Sequence, residues 1–270
     1  FIGILLGIGG CEMQTILGNP MASPYTLGIS SAASFGAALA IILDFSLIPK
    51  FENLMISLNA FIFSIIGSSI IFAFSKKYEA DKNIIVLFGI ALNFLFGSMT
   101  TFLQYIANEN DLQSLMFWSF GDLNKINWSE LLIIFVAMVI GIIIFSRNIW
   151  KLTAMSMGDI SAISLGVDVN KLRRNTFITV AFLSAISVSF AGTIGFVGLV
   201  APHIARLMCG EDQRYLLPIS ALTGGLMLSV SSILSKSLIP GTILPIGLVT
   251  SLIGIPFFIY LIVKKRGSYI

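Results

Sequence analysis

Charge is the scarcest property of this sequence. Asp, Glu, Lys and Arg make up 11% of its 270 residues, against about 25% in a soluble globular domain, which excludes an ordinary water-solvated fold. Cysteine and histidine are nearly absent too. Cys11 and Cys209 show neither CxxC nor metal-like spacing and read as small buried residues. His203, the one histidine, has no Cys, Asp or second His at ligand spacing, so it reads as packing. No G-x-x-x-x-G-K-S/T loop is present to hold a nucleotide. No cluster of His, Cys, Ser or carboxylates offers the constellation that enzyme chemistry needs. The expectation is a chain with no catalytic residue, no metal site, no bound cofactor and no nucleic-acid partner.

What the sequence has instead is long apolar runs, at 1–17, 27–48, 54–75, 84–106, 129–146, 175–195, 215–235 and 242–263. About 20 helical residues cross a bilayer core of about 30 Å. The fold class is therefore all-α and polytopic, with eight or nine spans in a single membrane domain, 1–270. Gly254 and Pro256 predict that the last run breaks into two short helices. The chain opens on Phe1 inside an apolar run, which reads as the start of a fragment, and no cleavable signal peptide is visible.

Basic residues test the orientation. If the first run ends in the cytoplasm and 242–263 counts as two crossings, twelve of the 16 lysines and arginines fall inside. Outside are Lys50, Lys125, Arg206 and Arg214. Such asymmetry is the positive-inside pattern. The polar stretch 153–174, "TAMSMGDISAISLGVDVNKLRR", then lies in the cytoplasm.

That stretch is too polar to span and too patterned for a slack loop. Ser156 and Asp159 have the spacing of a capping box. Met157, Ile160, Ile163 and Val167 follow at helical spacing. Gly166 can close the helix in a left-handed cap, and Asp168 can cap a second one. A helix of about nine residues would be about 14 Å long, a compact surface knob. Membrane-surface helices usually carry bulky aromatics opposite basic residues. Here Ala, Ser, Gly, Asp159 and Asp168 stand instead, which suits docking into a groove of a partner.

"MGDISAISLGVDV" resembles the cytoplasmic loop of FecCD/BtuC-type permeases, the transmembrane subunits of iron–siderophore, haem and cobalamin ABC importers. Three further segments follow in the same order: "GCEMQTILGNPMASPYTLGISSAASFGAALA" (10–40), "AGTIGFVGLVAPHIARLMCGEDQRYLLP" (191–218) and "LPIGLVTSLIGIPFFIYLI" (244–262). The resemblance implies a ten-helix permease fold, its first helix missing from this chain. It implies a second permease copy or sister permease, two ATP-binding cassette subunits that hydrolyse ATP, and an extracytoplasmic binding protein. It makes 153–174 the coupling element, with Gly158, Asp159, Ala162, Leu165 and Gly166 matching the loop that docks on the ATPase. The implied setting is a bacterial or archaeal cytoplasmic membrane, and the implied cargo a ferric siderophore first, then haem or cobalamin. Two positions depart from the family pattern: Ile243 replaces an acid before "LP-x-G", and Ser232 to Lys236 stand where "D-x-x-x-R" is usual.

Gly3, Gly7, Gly10 and Gln14 share one helix face, where small residues allow close helix approach and Gln14 can hydrogen-bond across it. By the resemblance Gln14, Asn19 and Pro20 belong to an inner gate, although Asn-Pro also simply stops helices. Glu12 is an acid in an apolar helix, a functional candidate by default; lining the pathway, pairing with a sister subunit and sitting protonated are its open readings. The segment 108–125, with Phe117, Trp118 and Phe120, suits an interfacial helix or a substrate vestibule. Against an importer permease stand an ion-coupled secondary transporter, resting on Glu12 and Asp44, and a membrane enzyme.

Overall fold

The computed structural model describes residues 1–47, 54–77 and 81–266. Among them lie eleven helices and no strand: α1 (Ile2–Leu17), α2 (Ile29–Leu43), α3 (Met55–Lys77), α4 (Lys82–Ile106), α5 (Glu109–Ser119), α6 (Trp128–Ser156), α7 (Asp159–Ser164), α8 (Val169–Ala191), α9 (Val197–Cys209), α10 (Gln213–Ser237) and α11 (Ile246–Arg266). Five of these, α3, α4, α6, α8 and α10, are long and apolar enough to cross a membrane. The first two expected spans are shorter. α1 has 16 residues and α2 has 15, or about 24 Å and about 22 Å at 1.5 Å per residue. Left-handed residues set their limits: Gly18 ends α1, Gly28 precedes α2 and Asp44 ends it.

Two expectations are corrected. α11 runs through Gly254 and Pro256 without a break, so the interruptions of the C-terminal third fall at 192–196, 210–212 and 238–245 instead. The second concerns α9, a helix of 13 residues between two expected spans, which returns the chain to the other end of the bundle. Its far end is fixed there by contacts: Arg206 donates to Gln14 near the end of α1, and Ser156, at the end of α6, donates to the Glu211 carbonyl. Arg206 and Arg214 therefore lie on the side of 153–174. Lys236, at the far end of α10, lies opposite, because Ser235 and Trp118 line one cavity there. The correction sharpens the charge asymmetry, since two arginines join the basic side and one lysine leaves it. Lys50 lies outside the described residues.

The core is organised around α1. A helix apolar on every side is an interior helix, and every residue from Leu5 to Leu17 is buried. It packs on α6, α8, α9 and α10. The glycine face makes this possible: a Cβ on Gly3 would lie 2.3 Å from the Gly224 carbonyl oxygen, and one on Gly7 equally close to that of Ser220. These contacts put the backbone of α1 directly on that of α10.

Candidate coupling and gate site

α6 does not stop where the capping pattern predicts. It includes Ser156, whose hydroxyl donates back to the Thr153 carbonyl at 2.8 Å, so no S-x-x-D box forms. Gly158, at φ 101°, turns the chain out and opens α7. α7 has six residues, not nine, and spans about 9 Å. Its far end closes as expected. Gly166, at φ 79°, donates to Ile163, and Val167 donates to Ala162; this is a Schellman cap. Asp168 then accepts from the Lys171 amide at 2.9 Å and starts α8.

Within this frame Ala162 is fully buried and holds the knob against the bundle. Met157, Ile160, Ile163 and Leu165 point outward, Ile160 with 84% of its surface exposed. Of the expected apolar stripe only Val167 turns partly inward. Gly158 and Gly166 have open space where a side chain would be. Asp159 is half-exposed, and its carboxylate accepts from Arg173 at 2.7 Å.

That bond leads straight to α1. Arg173 lies on α8, is 3% exposed, and donates through Nε to the Ile16 carbonyl at 2.7 Å. A second set of bonds reaches the same turn from the other side. Arg206 donates to Gln14 Oε1 at 2.8 Å and pairs with Glu211 at 2.8 Å, while Gln14 Nε2 donates to the Leu199 carbonyl. Gln213 donates to Thr15 Oγ1 at 2.7 Å, and its amide donates to Thr153 Oγ1. The last turn of α1 is thus held by two guanidinium groups that sequence reading counted only as charges. Arg173 finds a backbone oxygen 157 residues away, which no local pattern announces. For Arg206 a signal existed: an arginine in an apolar segment, within reach of an amide once α9 is recognised.

The predicted gate residues separate. Gln14 is buried in the α1–α9 contact. Asn19 and Pro20 follow the left-handed Gly18 at the surface; Asn19 accepts from the Met21 amide in an Asx turn and donates its own amide to the Gln14 carbonyl. Beside them opens a cleft of about 410 Å³, lined also by Lys82, Asn83 and Val86. Glu12 stays apart: it is fully buried, and neither carboxylate oxygen has a hydrogen-bond partner. Asp44 is exposed at the end of α2. His203 packs edge-on against Phe257 of α11. At the opposite end α5 borders a cavity of about 540 Å³, with Phe117, Trp118, Asp122, Lys125 and Ile243 in its wall.

Comparison with known proteins agrees with this architecture. The FecCD transport family matches residues 1–264. The hemin transport system permease protein of Yersinia pestis is 36% identical over 265 residues, covering 98% of this chain and 79% of that protein. The vitamin B12 import system permease protein of Vibrio vulnificus is 31% identical over 269 residues, covering 99% and 80%. A solved structure assigned to the metal-chelate type of ABC transporter, in an inward-facing conformation, superposes with a TM-score of 0.88 at 32% identity, over 97% of this chain and 82% of that one.

Proposed function

We propose, because the chain belongs to the FecCD transport family, that it is the permease subunit of an ABC importer for an iron chelate, haem or cobalamin. A ferric siderophore is the first choice of cargo. The chain acts in a bacterial or archaeal cytoplasmic membrane, beside a second copy or a sister permease. Two ATP-binding cassette subunits dock at the α7 end and hydrolyse the ATP, and an extracytoplasmic binding protein delivers cargo at the α5 end. Residues 153–174 are the coupling element within the single membrane domain. Gly158, Asp159, Ala162, Leu165 and Gly166 build its knob; Gln14, Asn19 and Pro20 border the inner gate. Glu12 is carried as a candidate for the pathway.

The observation that carries this reading is the exposed cap of α7. Four bulky apolar side chains stand out at the basic end of the bundle, on α7 and the residues that flank it, between glycine turns at both ends. A rigid apolar knob fits a groove in a partner protein. Partner states that grip it differently shift the bundle between conformations, because only differential contacts move an equilibrium. The ion-coupled reading retains Glu12 alone, since Asp44 is exposed at a helix end.

The test is uptake into liposomes holding the complete complex, with ATP inside and radiolabelled ferric siderophore, hemin or cobalamin offered on the loaded binding protein. ATP-dependent entry of one of them is the expected result. Entry that follows an ion gradient and ignores ATP overturns the proposal.

A further inference from the structure

Arg173 hydrogen-bonds both to Asp159 of the coupling knob and to the end of α1, and its placement is informative. Four carbonyls at a helix C-terminus lack intrahelical partners. At the end of α1 the Gly18 amide takes Gln14 and Thr15, and Arg173 takes Ile16 from the side. The negative end of the helix dipole favours a cation there. Nη2 of the same guanidinium holds Asp159, the first residue of α7. A cation so deeply buried is costly to separate from its partners, so movement of one partner pulls on the other. Gly18, Asn19 and Pro20 follow Ile16 within four residues.

We propose that Arg173 is the positioning residue through which displacement of α7 reaches the inner end of α1, and so Asn19 and Pro20. This rests on the importer reading for its consequence, though the link itself stands on geometry. Two donors fixed in one plane are essential to it. Arginine presents Nε and Nη2 to two acceptors at once, whereas a lysine ammonium is a single point of charge. Arg173→Lys therefore keeps a charge beside Asp159 and loses the bridge.

Two measurements decide it. In the first, amide hydrogen exchange is followed in the detergent-solubilised permease, with no cargo or ATPase needed. Arg173→Lys is expected to speed exchange at the amides of 16–19 by about tenfold, the loss of one charged hydrogen bond, with α10 unchanged. Exchange altered only within 159–177 overturns the link. In the second, the complete complex in liposomes is assayed for radiolabelled ferric siderophore uptake, or hemin or cobalamin where wild type selects those, together with ATP hydrolysis. The expected result is uptake reduced about tenfold with hydrolysis within about twofold of wild type, an uncoupled transporter. Uptake and hydrolysis falling in parallel, or both remaining normal, overturns the relay. A wild-type complex without ATP-dependent uptake would count against the importer reading, and the exchange measurement would still decide the link.

Discussion

A Cβ placed on Gly10 would lie 1.7 Å from the carbonyl oxygen of Gly198, whereas a Cβ on Gly166 would meet nothing within 4 Å. Both residues are glycines, and they answer different demands. Gly10 is needed because α1 and α9 touch backbone to backbone. Gly166 is needed because φ 79° is a region that side chains rarely enter. The first region is sealed, and its residues serve contacts inside the chain. The second is open, and its exposed apolar residues have no use inside the chain. The proposed gate lies on the buried helix and the proposed docking surface on the exposed one, and Arg173 hydrogen-bonds to both.

The same change made in both places separates the two regions most strongly. Gly10→Ala forces α1 and α9 apart and is expected to cost more than about 3 kcal/mol, beyond ordinary overpacking, because the obstacle is backbone. The variant should fail to give monodisperse protein in detergent on size exclusion. Gly166→Ala bears only the left-handed penalty of about 1–2 kcal/mol and should purify like wild type, with uptake lowered through a distorted knob. Equal behaviour of the two variants would show that the regions do not differ in this way.

A smaller effect, confined to the open region, comes from Ile160→Asp. The side chain touches little of its own chain, so thermal unfolding in detergent should stay unchanged. Retention of the ATPase subunits on affinity purification should fall about tenfold or more, as when an apolar anchor is lost from an interface. Unchanged retention would move the docking surface elsewhere.

The two regions were also unequally legible. The open one is built from local signals. Gly166 and Asp168 act within three residues of themselves, so the turn and the second helix could be read directly. The error there was also local: Ser156 has the capping spacing, but its hydroxyl serves α6. The sealed region could be read only by half. The spacing of Gly3, Gly7 and Gly10 announces a contact face, yet says nothing of Gly224, Ser220 or Gly198 opposite. α9 escaped because 13 residues fall below the length of a span, and it follows Phe196, a non-glycine residue at φ 65°. Missing that helix sent Arg206 to the wrong side and hid its bond to Gln14.

Glu12 offers the smallest and most discriminating test, because among the described residues its carboxyl is the buried ionisable acid that lacks a hydrogen-bond partner, alongside the hydroxyls of Ser184, Ser220 and Ser231. Buried polar groups are nearly always paired, and leaving one unpaired costs about 1–3 kcal/mol. Both carboxylate oxygens of Glu12 are fully buried without a hydrogen-bond partner among the described residues. Glu12→Met fills a similar volume with no polar atoms, so thermal unfolding in detergent should show a gain of about 1 kcal/mol. A loss of stability would mean that the carboxyl has a partner in the assembled transporter, and that the sealed region is not sealed there. A gain accompanied by lost uptake would mean that an acid is kept within the core at the expense of stability because transport requires it. That result would make Glu12 a working part of the central helix and bring the two regions closer in kind than their packing implies.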